Sequence, residues 1–252
     1  MLISNYKLVK TINYKSETYI GDPLNAIKVF NEKEVDEIIV LDINASRKKQ
    51  EPNYDFIYTL AGECFMPLTY GGGISNLDQA RQIFSLGVEK IALESSAIHD
   101  HKLIYDLTQK YGSQAITTSI SVKKRIFSKN YNYSYSSSSA KKVDLINHVK
   151  KLIKLGVGEI LLTSIDFEGT QTGLDLRLLK MIKEIVPVPL IIHGGVGKIS
   201  DIRDGFLHGA DAVGVGSYFV FSGPHRAVLI SYLSKQDREF ISTELGPYGT
   251  NL

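Results

Sequence analysis

The sequence predicts an α/β fold of one class, a (β/α)8 barrel built from two duplicated half-barrels, with a short or truncated first strand. Three observations point to it. Short continuous apolar runs alternate with amphipathic segments, the pattern of strands buried on both faces and helices that cover them. The length of 252 residues suits one barrel domain. Most telling, the middle of the chain occurs twice without a gap, because residues 34–95 shifted by 122 fall on 156–217. Glu37-Ile38 lands on Glu159-Ile160, Pro67-Leu68 on Pro189-Leu190, Gly72-Gly73 on Gly194-Gly195, Gly87 on Gly209 and Ser95 on Ser217. A period this long exceeds a solenoid unit and suits half of a closed barrel.

The expected organisation is a single domain over 1–252, with half-barrels of about 1–120 and 121–235 and a C-terminal tail over 236–252. Seven strands are read at 37–42, 67–70, 89–94, 115–121, 159–164, 188–192 and 212–216. Helix-period segments lie between them, at 54–63, 76–86, 100–111, 143–155, 174–185 and 200–208. Asn76 and Ser200-Asp201, each just past a glycine turn, read as helix starts. The eighth strand should be the first, yet only Met1-Leu2-Ile3 stands in its place. The expectation is a stub patched by Leu8–Ile12 and Thr18–Ile20, or a chain that begins late. Tyr133–Ala140, rich in serine, reads as a surface loop or, because it leaves a strand end, as a mobile lid.

Composition narrows the function. A net charge of +2 and the lack of a dense basic run argue against nucleic-acid and membrane partners. Lys48-Lys49 and Lys123-Lys124-Arg125 read as solvated loop charges. No signal peptide or membrane span is read at the N-terminus, and the single cysteine, Cys64, fits a reducing cytoplasm. Cys64 reads as a small buried hydrophobe. No His/Cys/Asp cluster has metal-ligand spacing, and no cofactor is implied.

The glycine turns carry the chemistry. Gly71-Gly72-Gly73 follows the third strand and His193-Gly194-Gly195 the seventh. Such turns let backbone N–H groups approach a phosphate at a helix N-terminus, although a tight strand-to-helix turn alone also selects glycine. In the second half the phosphate reading gains weight. Gly169, Gly195, Gly216 and Ser217 occupy neighbouring loops on one rim, and the loops after strands seven and eight are the usual phosphate site of these barrels. The first-half copy, with Gly73 and Ser95, has Glu94 where the second has Gly216. A carboxylate there repels phosphate on the order of 332/(εr) kcal/mol with ε about 20, so the first-half site suits a hydroxyl or amine better.

Glu37, Lys90 and Glu159 begin strands two, four and six, which places all three at the opposite mouth. They read as a structural salt-bridge ring or as a polar gate into the barrel axis. Asp42 and Asp166, at the upper ends of strands two and six, occupy the rim position that reads as catalytic. His193 is an acid–base candidate or a turn residue.

Several of these blocks together resemble the cyclase subunit of imidazole glycerol phosphate synthase, the HisF family, over roughly residues 1–232. The matching blocks are DEIIVLDINAS (36–46), MPLTYGGGI (66–74), KYGSQAI (110–116), GVGEILLTSIDFEGTQTGLDL (156–176) and HGGVG (193–197). The resemblance implies a barrel that receives ammonia from a glutaminase subunit docked at its base, and a substrate with a phosphate at each end. By position it implies a second-half phosphate site at Gly169, Gly195, Gly216 and Ser217. It implies a first-half site at Gly73, Glu94 and Ser95, with Glu94 in place of the family's asparagine. It also implies an ammonia gate at Glu37, Lys90 and Glu159, whose remaining arginine would lie upstream of Met1. The family's two catalytic aspartates fall at Ile3 and Ser121, and neither residue type replaces a carboxylate in acid–base work, so Ser121 joins Asp42 and Asp166 as a catalytic candidate by position alone.

A narrower resemblance is carried by NEKEVDEIIVLDINAS (31–46), ECFMPLTYGGGI (63–74) and SGPHRAVLISY (222–232). These blocks are similar to HisF paralogues of surface-polysaccharide clusters, implicated with a glutaminase and a third amidotransferase-like protein in acetamidino-sugar formation. The leading expectation is therefore an ammonia-dependent subunit acting on a phosphorylated or nucleotide-linked sugar. The alternatives are an imidazole glycerol phosphate synthase cyclase with altered catalytic residues, and a non-catalytic barrel that activates the glutaminase.

Overall fold

A computed structural model describes residues 1–124, 131–133 and 144–245. It opens with a three-residue strand, β1 (Leu2–Ser4), and a hairpin, β2 (Lys7–Ile12) and β3 (Lys15–Gly21), followed by α1 (Pro23–Glu32). Then come β4 (Ile38–Asp42), α2 (Ala45–Lys48), α3 (Tyr54–Glu63), β5 (Leu68–Gly71), α4 (Leu77–Ser85) and β6 (Lys90–Leu93). The middle of the chain forms α5 (Ser95–His99), α6 (His101–Tyr111), β7 (Ile116–Lys124), β8 (Tyr131–Tyr133) and α7 (Leu145–Lys154). The second half continues with β9 (Glu159–Ser164), α8 (Leu176–Lys183), β10 (Leu190–His193), α9 (Ile199–Leu207) and β11 (Ala212–Gly214). A small hairpin, β12 (Phe221–Ser222) and β13 (Ala227–Val228), and α10 (Lys235–Leu245) complete it.

The eight barrel strands are β1, β4, β5, β6, β7, β9, β10 and β11, and every adjacent pair along this series runs parallel. This is the curled parallel sheet of a (β/α)8 barrel. The expected stub is real: β1 pairs with β4 through Leu2↔Leu41 and Ile3↔Asp42, and its other edge carries β2 antiparallel. The hairpin thus lies beside the short stave and widens the sheet at its edge. β11 ends the sheet, with β10 as its neighbour among the described residues.

The elements form where burial pays for ordering them. Strand residues Val40, Ile91, Ile116, Ile120, Ile160, Leu162, Leu190 and Ile192 share one core with helix residues Ile27, Ile57, Ile83, Ile104, Val149 and Leu178. Short polar caps start the helices. Asp22, Asn53, Asn76, Asp100, Asp144 and Asp175 each accept a hydrogen bond from the backbone N–H three residues on, a device worth about 1 kcal/mol per helix. At α9 the work is done from inside the helix, since Asp201 accepts from the N–H groups of Gly197 and Lys198.

Two expectations shift in detail. Cys64 is half-buried, because it caps the C-terminal end of α3, and its Sγ–H donates to the Met66 carbonyl at 3.3 Å. Lys48 and Lys49 are exposed as expected, while Arg125 and the segment 134–140 lie outside the described residues. Among the described residues no helix is long and apolar enough to cross a membrane.

Candidate functional site

The strand ends place two cavities at the upper rim, and they divide the phosphate-site candidates between them. A cavity of about 410 Å³ is lined by Gly169, Gly195, Gly216 and Ser217, the second-half set. It extends down the side of the barrel between the β1–β4 and β10–β11 pairs to Glu37. A smaller cavity of about 110 Å³ is lined by Asp42, Gly73, Glu94 and Ser95, the first-half set. Both reach His193 and Glu168.

In the larger cavity the glycines serve packing and access together. A Cβ on Gly169 would stand 2.0 Å from the Thr11 carbonyl oxygen, and one on Gly195 would stand 1.9 Å from that of Gly173. Both residues also have positive φ, 75° and 108°, so glycine is required there by the backbone alone. Gly216 differs. What a side chain there would meet is the Lys10 ammonium, 2.9 Å from the Cβ position.

Lys10 lines the larger cavity and is a candidate that motif reading missed. It is 7% exposed, on β2 amid buried Leu8, Val9 and Thr11. Burial pulls its ammonium down to about 8, against the opposing charge of Glu168. The available signal was a lysine inside an apolar run, KLVKTI. Glu168, also missed, is 3% exposed and accepts from the Thr11 hydroxyl at 2.8 Å and the Tyr14 N–H at 3.0 Å. It ties the β2–β3 hairpin to the loop after β9. Arg226, in the β12–β13 turn, lies 4.3 Å over the Phe221 ring and donates to the Gly169 carbonyl and the Gln171 side chain.

His193 closes β10 between the cavities. Its Nδ1 lies 3.1 Å from the Thr163 hydroxyl, and burial, then the nearby Lys10 charge, push it down to about 3. The imidazole is therefore neutral near pH 7 and fits the role of a fixed polar contact better than that of an acid.

In the smaller cavity Glu94 stands just past β6, with Oε1 buried and without a hydrogen-bond partner. Burial raises its carboxyl to about 7, although hydrogen bonds from the Ser121 hydroxyl and backbone pull the other way. Ser121, fully buried on β7, has its Oγ 2.8 Å from the Tyr14 hydroxyl. Tyr14, a third residue missed in the sequence, has its phenol pushed upward by burial and by Glu94. Ile3 is buried at the β1 end beside Asp42 and offers no polar atom.

The two aspartates separate. Asp42 lines the smaller cavity, and its Oδ1 accepts from the N–H groups of Asn44 and Ala45, which starts α2. Asp166 lines neither cavity; its Oδ2 accepts from Lys124 N–H at 2.7 Å and holds the end of β7.

At the lower mouth Glu37, Lys90 and Glu159 do meet. Lys90 Nζ lies 3.0 Å from Glu37 Oε2 and 3.2 Å from Glu159 Oε1. Thr69 and Thr117 hydroxyls donate to the two glutamates, each at 2.8 Å. Burial opposes the Lys90 charge, but its hydrogen bond to the Glu37 carboxylate and the two carboxylate charges prevail and raise it. No metal-binding group of three or more ligands occurs among the described residues.

Residues 3–224 match the family model described as "Histidine biosynthesis protein". A relative in Pseudomonas aeruginosa, provisionally named imidazole glycerol phosphate synthase subunit hisF2, is 48% identical over 92% of this chain and 93% of its own. One in Leptospira borgpetersenii, provisionally named subunit HisF of the same synthase, is 46% identical over 95% of each chain. The subunit HisF of Lactococcus lactis is 40% identical over 81% of this chain and 79% of its own.

Proposed function

The chain belongs to the histidine biosynthesis protein family, as a HisF-like member, and from that premise we propose that it is the ammonia-using subunit of a glutamine amidotransferase complex. Its acceptor is a sugar that carries phosphate at one end, as a sugar phosphate or a nucleotide-linked sugar, and the product belongs to acetamidino-sugar formation. A glutaminase docks at the lower mouth, and ammonia enters past Glu37, Lys90 and Glu159. A third amidotransferase-like protein would complete the system.

The observation that carries this reading is the difference between the two upper cavities. The larger one joins Gly169, Gly195, Gly216 and Ser217 to a buried lysine. Backbone N–H groups and a desolvated ammonium together suit a phosphate. The smaller one joins Gly73 and Ser95 to a buried carboxyl, which suits a hydroxyl or an amine. A substrate with one phosphate end fits this pair better than one with two.

Calorimetry with a sugar monophosphate tests it. One binding event per chain is expected, abolished by Ser217→Asp and kept within a few-fold by Ser95→Asp. Unchanged affinity in Ser217→Asp removes the second-half phosphate site.

The cyclase of histidine biosynthesis is the second reading, favoured by the naming of the relatives. Growth of a histidine auxotroph that lacks its cyclase, on expression of this chain, would establish it. We expect no growth, since Ile3 and Ser121 supply no carboxylate. The third reading, a barrel that only activates the glutaminase, predicts faster glutamine hydrolysis with no sugar product.

A further inference from the structure

We propose that Glu94, Ser121 and Tyr14 form a proton relay at the smaller cavity, in which Glu94 gives a proton to the oxygen of the carbonyl-type group that ammonia attacks and takes one back from the nitrogen. This rests on the ammonia-using reading above and assigns its acid–base group.

The assignment follows from which polar groups around that cavity are already committed. Of its titratable lining residues, Asp42 starts α2 through Asn44 and Ala45. Glu168 holds Thr11 and Tyr14, and His193 turns Nδ1 to Thr163. Glu17 and Arg47 are exposed at the edge. Glu94 is the carboxyl left with a buried oxygen and no partner for it. A buried oxygen in that state is costly unless it carries a proton or meets one on a ligand. Behind it runs a hydroxyl chain, since Ser121 acts on the Glu94 carboxyl to favour its charged form and its Oγ lies 2.8 Å from the Tyr14 hydroxyl. With its ionisation near 7, Glu94 stands close to the value at which one group gives and takes protons most effectively. The Tyr14 phenol is pushed up and the His193 imidazole down to about 3, so neither competes for that role near neutral pH.

The step balances with ammonia and a carbonyl-type carbon alone. The ammonia lone pair forms the N–C bond while the C=O π pair moves onto oxygen, which takes the Glu94 proton. The nitrogen, now cationic, gives a proton to the Glu94 carboxylate directly or through the Ser121 and Tyr14 hydroxyls. The product carbon bears NH2 and OH, and Glu94 is neutral again.

Carboxyl titration of the full chain, by infrared or ¹³C NMR without substrate, tests the relay. One glutamate carboxyl should titrate near pH 7 and vanish in Glu94→Gln. In Ser121→Ala its midpoint should rise, with the ionisation constant changed at least three-fold, because a hydrogen bond to the charged form is lost. No glutamate titrating above pH 6, or a midpoint unmoved in Ser121→Ala, overturns the relay. With ammonium chloride and a nucleotide-linked N-acetyl sugar as probe, the turnover profile should show a limb near pH 7 that Glu94→Gln removes. A limb kept in Glu94→Gln overturns the catalytic role. A carboxyl that titrates as expected in a chain that never consumes ammonium refutes the ammonia-using reading instead, and with it the catalytic role.

Discussion

Lys10 and Glu94 are the two residues whose ionisation the fold has moved furthest toward use, and each carries a pH signature. Lys10 is a cation below about pH 8, so affinity for a sugar phosphate should fall as pH rises through that value. Replacing it by Met should weaken binding by roughly ten-fold to a hundred-fold, the range of a lost charge-assisted contact, and flatten that dependence by calorimetry. Glu94 carries its signature in stability. Its folded-state value, about 7, lies above the ordinary value of 4.5, so the folded chain holds a proton that the unfolded chain releases. Stability should therefore fall as pH rises from about 4.5 to about 7, by on the order of 3 kcal/mol. Glu94→Gln should melt higher than the parent at pH 8 and with little difference at pH 4.5. A parent and variant that track each other at all pH values would contradict the buried carboxyl. Neither residue was fully legible in the sequence. Glu94 surfaced because the repeat aligned it with Gly216, whereas Lys10 and Tyr14 lie outside the repeated block and are brought to the rim only by the hairpin.

Elements were read with more success than side chains, for a physical reason. Apolar runs buried on both faces and 3.6-period helices announce themselves through burial alone, so the β9 and α3 boundaries coincide with the residues expected, 159–164 and 54–63. Boundaries moved where capping decided them: α9 begins at Ile199 because Asp201 reaches back to the preceding N–H groups. The first strand could be foreseen as a stub but not its repair, since β2 pairs antiparallel across it. At this scale the lower ends of β4, β6 and β9 meet through Lys90, whose side chain is 23% exposed. Lys90→Met should destabilise the chain by roughly 2–3 kcal/mol, less than for a fully buried group, by leaving Glu37 and Glu159 facing each other. Urea denaturation measures this, and adding Glu37→Gln should restore part of the loss. Additive losses would mean that the three residues do not act as one unit.

For the whole molecule, the repeat foretold the architecture, and its mismatches mark where the two halves differ in the proposed site. The pairing of Glu94 with Gly216 separates one cavity that suits an anion from one that suits a proton exchange, and both lie on a scaffold common to the two halves. The same asymmetry governs the ring below. Glu37 has its counterpart at Glu159, but the counterpart of Lys90 is Ala212. Two carboxylates therefore share one ammonium, and only the first half encodes it. Expressed as separate pieces, two copies of residues 1–120 could each contribute a lysine to close a ring. Two copies of 121–235 would bring carboxylates alone. The halves should be unequal as building blocks: the first should associate with itself in gel filtration more readily than the second, and the second should be rescued by Ala212→Lys. An old duplication has thus become a one-way dependence, with one half holding the cation that lets the other half's glutamate stay half-buried.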